Sequence, residues 1–279
     1  QEYVEKGAAL APPQLFAESV ANAPGSHIAI EWNLRGFNVT ITQRESSALA
    51  AAMYAASQLV KGSARAALIG GVEEVNEMIF SVLDRLGALA RNGSGPRPFD
   101  RNRGGMLLGE GAAALVLQPD TAAKYGYLSG FGIARDTTAS ISDWGSDAAA
   151  VVAAMRAAIN DAELQPADID AIYASANATR KADALEARAI SMLFDERPVV
   201  ATKGCFGEYA AGGALQLTAA LLAIADQTLH GSCGFQSADD GTRIDVVRAT
   251  RKAELRHVLV NSISAGGGIV CAVVSREAA

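Results

Sequence analysis

The sequence has few of the residues that disulfide frameworks and metal sites require. Its 279 residues include only three cysteines and three histidines. Cys205, Cys233 and Cys271 are too few and too scattered for a disulfide framework or a zinc site, so we predict separate thiols in a reducing compartment. The histidines are isolated, and none has a metal-ligand spacing to another. We therefore expect no metal ion in this protein.

Long apolar runs and a strong excess of one charge are also missing. Charged residues or glycines interrupt every apolar stretch within about 18 residues, which predicts no membrane-spanning helix and no membrane partner. The formal net charge is −6, so we expect no nucleic-acid partner either. The chain begins at Gln1 without a methionine or a signal-like segment. We expect a cytoplasmic protein with further native sequence before this residue.

The composition that remains is typical of a globular protein built from sheets and closely packed helices. Half of the residues are hydrophobic, 27 are glycines and only 6% are aromatic. Strands are predicted at residues 38–42, 66–69, 112–118, 169–175, 199–202, 258–262 and 269–275, and helices at 48–61, 76–86, 148–162, 183–193 and 211–225. This alternation predicts a layered α/β fold with two similar halves, residues 1–135 and 136–279.

A tight elbow is predicted between the strand at 38–42 and the helix at 48–61. Such an elbow presents one side chain to a pocket, above the positive end of the helix dipole. Here that side chain belongs to Glu45. A cysteine thiolate would be an activated nucleophile at this point, whereas a carboxylate is a poor acyl carrier because its mixed anhydride hydrolyses. Further along, Gly70 and Gly71 are predicted to form a turn that allows close backbone approach.

Several motifs, in one order and at compatible spacings, cover nearly the whole chain. They are RLGALAR at 85–91, RPFDRNRGG at 97–105, LGEGAA at 108–113, DID at 168–170, TKG at 202–204, AGGA at 211–214 and NS at 261–262. Together they resemble the β-ketoacyl-acyl carrier protein synthases of the thiolase superfamily. The resemblance implies a thiolase-like layered α-β-α-β-α fold whose N-terminal portion is missing from this chain.

The resemblance also implies where the catalytic groups of such a synthase would lie. Family members condense acyl chains with one cysteine and two histidines. The cysteine position falls on Glu45. The first histidine position lies nearest Ala176, with Ser175 or Asn177 as alternatives, and the second falls on Glu208. All three groups are therefore replaced, which makes self-contained condensation a poor expectation.

Three more positions follow from the same resemblance. The lysine of the family pattern is retained as Lys203. The aromatic gate before the last strand is replaced by Ala265, which is too small to control access to a nucleophile. Glu110 is predicted to be a buried carboxylate that binds loop backbone or Lys203.

The function that these replacements favour is that of a non-catalytic partner subunit. The sequence resembles the chain-length factors of type II polyketide synthases, which pair with an active ketosynthase and shape its acyl tunnel. Those proteins usually carry glutamine at the elbow, so Glu45 is a departure. The resemblance implies an active β-ketoacyl synthase as partner, an acyl carrier protein that is reached through the complex, and no cofactor.

Two other hypotheses remain open from the sequence. Glu45 and Glu208 could face one pocket as an acid and base pair of a dehydratase, cyclase or hydrolase. Against this, either glutamate could instead be held in an ion pair by Lys203 or Arg44. The third hypothesis is a purely structural protein.

Overall fold

The computed structural model describes Gly7 and residues 13–91, 95–119 and 122–278. The chain divides into two compact units, residues 1–42 and 43–279. In the first unit the described helices are α1 (Pro13–Ser19) and α2 (Ala23–Glu31). The division into two similar halves at residues 135 and 136 stays a prediction.

The second unit contains the remaining helices and all the strands of the described residues. Its helices are α3 (Ser47–Val60), α4 (Glu77–Arg85), α5 (Ala148–Asp161), α6 (Arg180–Leu193), α7 (Lys203–Phe206) and α8 (Gly213–Asp226). Its strands are β1 (Ala67–Glu73), β2 (Gly111–Leu117), β3 (Tyr127–Arg135), β4 (Ala171–Tyr173), β5 (Pro198–Val200), β6 (Thr228–Leu229), β7 (Asp245–Val246), β8 (Arg251–Lys252), β9 (His257–Ile263) and β10 (Gly268–Ser275).

The largest sheet has six strands in the order β3-β10-β9-β4-β5-β7. Strands β9, β4, β5 and β7 run parallel, while β10 is antiparallel to both β3 and β9. Strands β9 and β10 are rich in valine and isoleucine and are buried along nearly their whole length. Such continuous apolar runs are typical of strands that are covered on both faces.

Helices cover this sheet because small residues allow a close approach. Helix α5 packs against β3, β9 and β10, and α6 packs against α5. A Cβ atom on Gly132 of β3 would lie 2.1 Å from the carbonyl oxygen of Ala154 in α5, so only glycine permits this contact. Helices α3 and α8 contact both the large sheet and the β1–β2 sheet, and therefore form a layer between them. The predicted layered α/β class is confirmed.

The local signals that position these helices were readable in the sequence. The side chain of Asp147 accepts a hydrogen bond from Ala149 N at 2.9 Å and caps α5. Asn76 caps α4 in the same way, through Met78 N at 2.8 Å. The helix predicted at 48–61 is present as α3 within one residue at each end.

Strands β1 and β2 form a separate antiparallel sheet. Its exposed face is apolar: Leu68 is 47% exposed, Val72 56% and Val116 68%, and Leu68 lies directly opposite Val116. In the described residues each of these two strands pairs only with the other, whereas β9 and β10 each pair on both sides. Within the part of the chain that the structure describes, the edges and one face of this sheet are therefore open.

Two of the predictions about strands were wrong. Gly70 and Gly71 lie within β1 and not in a turn, but the predicted close backbone approach is present, since a Cβ on Gly70 would lie 2.5 Å from the carbonyl oxygen of Ala113 in the neighbouring strand. Residues 38–42 are not a strand in the structure, since a β-branched run still needs a partner strand to form a ladder. Strand β3 was missed because its glycines hide the apolar pattern.

Candidate functional site

The elbow before α3 is held by hydrogen bonds to the end of β9. Arg44 has a φ of +52°, which turns the chain sharply before the helix. Ser46 is fully buried, and its Oγ lies 2.6 Å from the Oγ of Ser264. On the other side of the elbow, Ser262 Oγ donates a hydrogen bond of 2.7 Å to the carbonyl oxygen of Glu45. These contacts fix the backbone from which the Glu45 side chain extends.

The Glu45 carboxylate lies beside the loop that follows β9. Ala265 N donates a hydrogen bond to Glu45 Oε2 at 3.1 Å, so the two sequence-predicted positions are neighbours. Burial raises the pKa of Glu45 to about 7, and the negative charge of Glu208 acts in the same direction. The positive charge of Lys203 lowers this pKa, but not enough to reverse the shift. At neutral pH this carboxyl group therefore exists in both protonation states.

Lys203 and Glu208 form a buried ion pair. Lys203 Nζ lies 2.8 Å from Glu208 Oε2, and the two side chains are only 2% and 4% exposed. Asn177 Nδ2 donates a second hydrogen bond of 2.9 Å to the same oxygen. Short helix α7 begins at Lys203 and ends just before Glu208, so one turn of backbone sets the spacing of the pair. The ion pair weighed as an alternative from the sequence is therefore present.

The segment after β4 supplies two polar groups on either side of Ala176. Ser175 Oγ accepts hydrogen bonds from Lys203 Nζ at 3.3 Å and from Ile263 N at 3.0 Å. Asn177 binds Glu208, as described above, while Ala176 is buried and carries no polar group. The three residues considered for the first histidine position thus lie next to the ion pair.

Glu110 does not belong to this site. The sequence predicted a buried carboxylate, but Glu110 is exposed, and Lys203 pairs with Glu208 instead. The prediction of a bond to loop backbone was right, since Glu110 Oε2 accepts a hydrogen bond from Val75 N at 3.0 Å. The prediction of burial was wrong because Glu110 immediately precedes β2, in the sheet with the open face.

Two buried carboxylates on α6 support the site and were missed from the sequence. Glu186 Oε1 accepts hydrogen bonds from Ser175 N and Asn261 Nδ2, both at 2.9 Å. Burial raises the pKa of Glu186 to about 7 and that of Asp183 to about 6. The sequence did contain a signal for their burial. Asp183 and Glu186 are three residues apart and alternate with apolar residues, a spacing that places both on the inner face of a helix.

The prediction of three separate thiols was wrong. Cys205 and Cys233 form a disulfide with a Cα–Cα distance of 5.5 Å, and Cys271 is a free, buried cysteine. The two bonded residues are 28 positions apart, and only the packing of the Cys233 loop against α7 brings them together. Among the described residues, no group of three or more His, Cys, Asp and Glu could hold a metal ion. In the same part of the chain no helix is long and apolar enough to cross a membrane.

Comparisons with known proteins assign the family. Residues 3–123 match the family model of the beta-ketoacyl synthase N-terminal domain, and residues 125–236 match that of the C-terminal domain. The chain belongs to the β-ketoacyl synthase family. The resemblance read from the motifs is therefore confirmed.

Curated relatives of this family member are longer than the chain itself. It is 29% identical over 281 residues to a 3-oxoacyl-[acyl-carrier-protein] synthase 2 of Coxiella burnetii, a match that covers 95% of this chain and 68% of that protein. It is 31% identical over 272 residues to the tetracenomycin polyketide synthase ketoacyl synthase beta subunit of Streptomyces glaucescens. That match covers 90% of this chain and 64% of the relative.

Solved structures of β-ketoacyl synthases confirm the thiolase-like fold. A β-ketoacyl synthase from Burkholderia phymatum superposes with a TM-score of 0.91 at 25% identity, over 98% of this chain and 70% of that one. The ishigamide ketosynthase/chain length factor superposes with a TM-score of 0.90 at 24% identity, over 99% of this chain and 70% of the matched one.

The raised pKa values of this β-ketoacyl synthase homologue predict how its stability depends on pH. A carboxyl group whose pKa is higher in the folded state binds protons more tightly there. The free energy of unfolding should therefore fall as the pH rises from about 4.5, the ordinary value for glutamate, to about 7. Urea denaturation at several pH values measures this fall in the free energy of unfolding. The fall should be smaller in Glu45→Gln than in the original protein, and smaller still in the double variant with Glu186→Gln. If the free energy of unfolding varies with pH in the same way in both variants as in the original protein, the pKa values of Glu45 and Glu186 are not raised.

Proposed function

We propose that this chain is a ketosynthase-like subunit that pairs with an active β-ketoacyl synthase, shapes the shared acyl tunnel and does not itself catalyse condensation. This is the role of a chain-length factor in type II polyketide, polyene or fatty-acid-like biosynthesis. An acyl carrier protein would deliver its substrates through the active partner. The proposal places the pair in the cytoplasm.

The buried Lys203–Glu208 ion pair is the observation that carries this proposal. The family resemblance assigns a histidine to the Glu208 position, where it would stabilise negative charge that develops on the substrate. A carboxylate there repels such charge. Its nearest cation and the amide of Asn177 are already bound to it. The pair is therefore better suited to stabilising the interior of the subunit than to stabilising an enolate.

Two further observations support a partner protein. The open apolar face that carries Leu68, Val72 and Val116 is a surface that another polypeptide could cover. The curated relative with 31% identity is described as a beta subunit of a polyketide synthase. Two solved structures with the same fold contain a ketosynthase together with a chain length factor. They are the ishigamide ketosynthase/chain length factor and the complex of ApeO with ApeC from Xenorhabdus doucetiae.

Co-expression with a cysteine-bearing ketosynthase tests the pairing. Native mass spectrometry should detect a complex of the two chains, and an acyl donor should add mass to the partner but not to this chain. Glu45→Cys should not enable the isolated chain to condense acyl groups, because both histidine positions remain replaced. In the complex, Glu45→Ala should leave condensation intact, whereas replacing the partner's cysteine should abolish it. Elongation of an acyl chain by this protein alone would overturn the proposal.

The raised pKa of Glu45 favours one alternative, a repurposed dehydratase, cyclase or hydrolase. A carboxyl group with a pKa near 7 beside a second carboxylate is suited to general acid and base catalysis at neutral pH. In that case the isolated chain should convert a substrate bound to acyl carrier protein, with a pH dependence centred near 7. That activity should disappear in both Glu45→Ala and Glu208→Gln. Retained turnover in these variants would exclude the alternative.

A further inference from the structure

An exposed disulfide lies directly beside the buried ion pair. The Cys205–Cys233 bond starts within α7, two residues after Lys203 and three before Glu208. Both cysteines are exposed to solvent, whereas Lys203 and Glu208 are buried. The bond therefore connects the surface to the one helical turn that sets the spacing of the ion pair.

The loop that carries Cys233 is anchored to the large sheet. Ser232 N donates to the carbonyl oxygen of Val247 at 2.8 Å, and Ser232 Oγ accepts from Ala201 N at 3.0 Å. The loop also packs tightly on α7, because a Cβ on Gly204 would lie 2.2 Å from the carbonyl oxygen of Cys233. Helix α7 has only one turn of helical hydrogen bonds, and the chain beyond it is held at Glu208, whose N–H donates to the carbonyl oxygen of Leu107 at 2.7 Å. The disulfide is thus a tether between a short turn and a fixed loop.

We propose that Cys205 and Cys233 form a thiol–disulfide exchange site at which a dithiol reductant releases α7, and with it the segment that carries Lys203 and Glu208. Exposed disulfides are open to attack by an external thiolate, and those in reducing compartments are typically sensors or catalysts. One thiolate of the reductant attacks one sulfur of the bond and displaces the other cysteine as a thiolate. The second thiol of the reductant then breaks the mixed disulfide. The products are two protein thiols and the oxidised cyclic reductant, with the two thiol protons passing to the two cysteines.

Cys271 provides an internal control for this reaction. It is fully buried in β10, and its Sγ lies 3.3 Å from Asn261 Oδ1. A reagent that reacts with Cys205 and Cys233 in the folded protein cannot reach Cys271 unless the core opens. Labelling of Cys205 and Cys233 alone therefore indicates local thiol–disulfide exchange, whereas labelling of Cys271 as well indicates unfolding.

The test begins with protein oxidised by excess oxidised glutathione, which is then removed, and the protein is treated with reduced dithiothreitol at neutral pH without denaturant. Iodoacetamide labelling and mass spectrometry should find two adducts, on Cys205 and Cys233. Amide hydrogen exchange should become faster at residues 203–208 and 230–235 and stay unchanged in α5. The melting temperature should fall by about 5–10 °C, since the bond closes a loop of 28 residues.

A matched variant separates the tether from other effects of the reductant. Cys205→Ser with Cys233→Ser should show the faster exchange from the start and should not respond to dithiothreitol. Absence of a disulfide after oxidation, or resistance of the bond until the protein unfolds, would overturn the proposal. So would labelling of Cys271 at the same rate, or reduction without any change in exchange at residues 203–208.

Discussion

Replacing Lys203 with methionine is expected to lower the free energy of unfolding by about 3–5 kcal/mol. The methionine has a similar length, so the packing is nearly kept and the main change is the loss of the charge. Glu208 would then be a buried carboxylate that keeps, among the side chains the structure describes, Asn177 as its one donor. Chemical denaturation at neutral pH measures the loss.

Two controls make this expectation specific to the buried pair. Lys181 Nζ lies 3.0 Å from Asp143 Oδ2, but their side chains are 54% and 33% exposed, so Lys181→Met should lower the free energy of unfolding far less than Lys203→Met does. Adding Glu208→Leu to Lys203→Met removes the stranded carboxylate and should recover much of the lost stability. If Lys203→Met costs no more than Lys181→Met, the ion pair does not stabilise the subunit.

The second large effect is expected from Asp183→Ala, with a loss of about 3–6 kcal/mol from three unsatisfied buried donors. Asp183 Oδ2 accepts from Phe99 N at 2.7 Å, and Oδ1 accepts from Asn177 N at 3.0 Å and from Ala178 N at 3.1 Å. Phe99 and Ala178 have φ values of +61° and +74°, which non-glycine residues rarely adopt. The carboxylate thus holds two strained segments together, one of which supplies Asn177 to the site.

Thermal and urea denaturation of Asp183→Ala should be compared with Asp168→Ala. Asp168 Oδ2 also accepts a backbone hydrogen bond, from Gln165 N at 2.8 Å, but at an exposed turn. Water can replace this acceptor, so we expect a loss of about 1 kcal/mol or less. Equal losses in the two variants would show that the buried donors find other partners.

These expectations follow from a site whose polar groups are mostly committed to one another. Lys203, Glu208, Asn177 and Ser175 form one hydrogen-bonded group. Glu45 stands outside this group, and its pKa of about 7 gives it both protonation states at neutral pH. This is why Glu45 separates the proposed non-catalytic subunit from the alternative enzyme.

Local patterns in the sequence predicted most elements because those elements depend on their own residues. Helix α5 has an inner face of alanines with Val151, Met155 and Ile159, and an aspartate cap, and both signals are local. Strand β3 was missed because its burial depends on the contact of Gly130 and Gly132 with α5, which leaves no apolar pattern to read. The strand at 38–42 was wrong for a related reason, since ladder pairing is not encoded by one segment alone.

The sequence by itself determined the family and the layered α/β class, because ordered motifs and residue types are properties of the chain, while the replacement of a cysteine and two histidines stays a prediction. Only the tertiary structure decided that Glu208 pairs with Lys203, that Glu110 is exposed, and that Cys205 is bonded to Cys233. Ionisation, burial and disulfide pairing depend on distances between segments that are far apart in sequence. Packing sets those distances, and no local pattern records them.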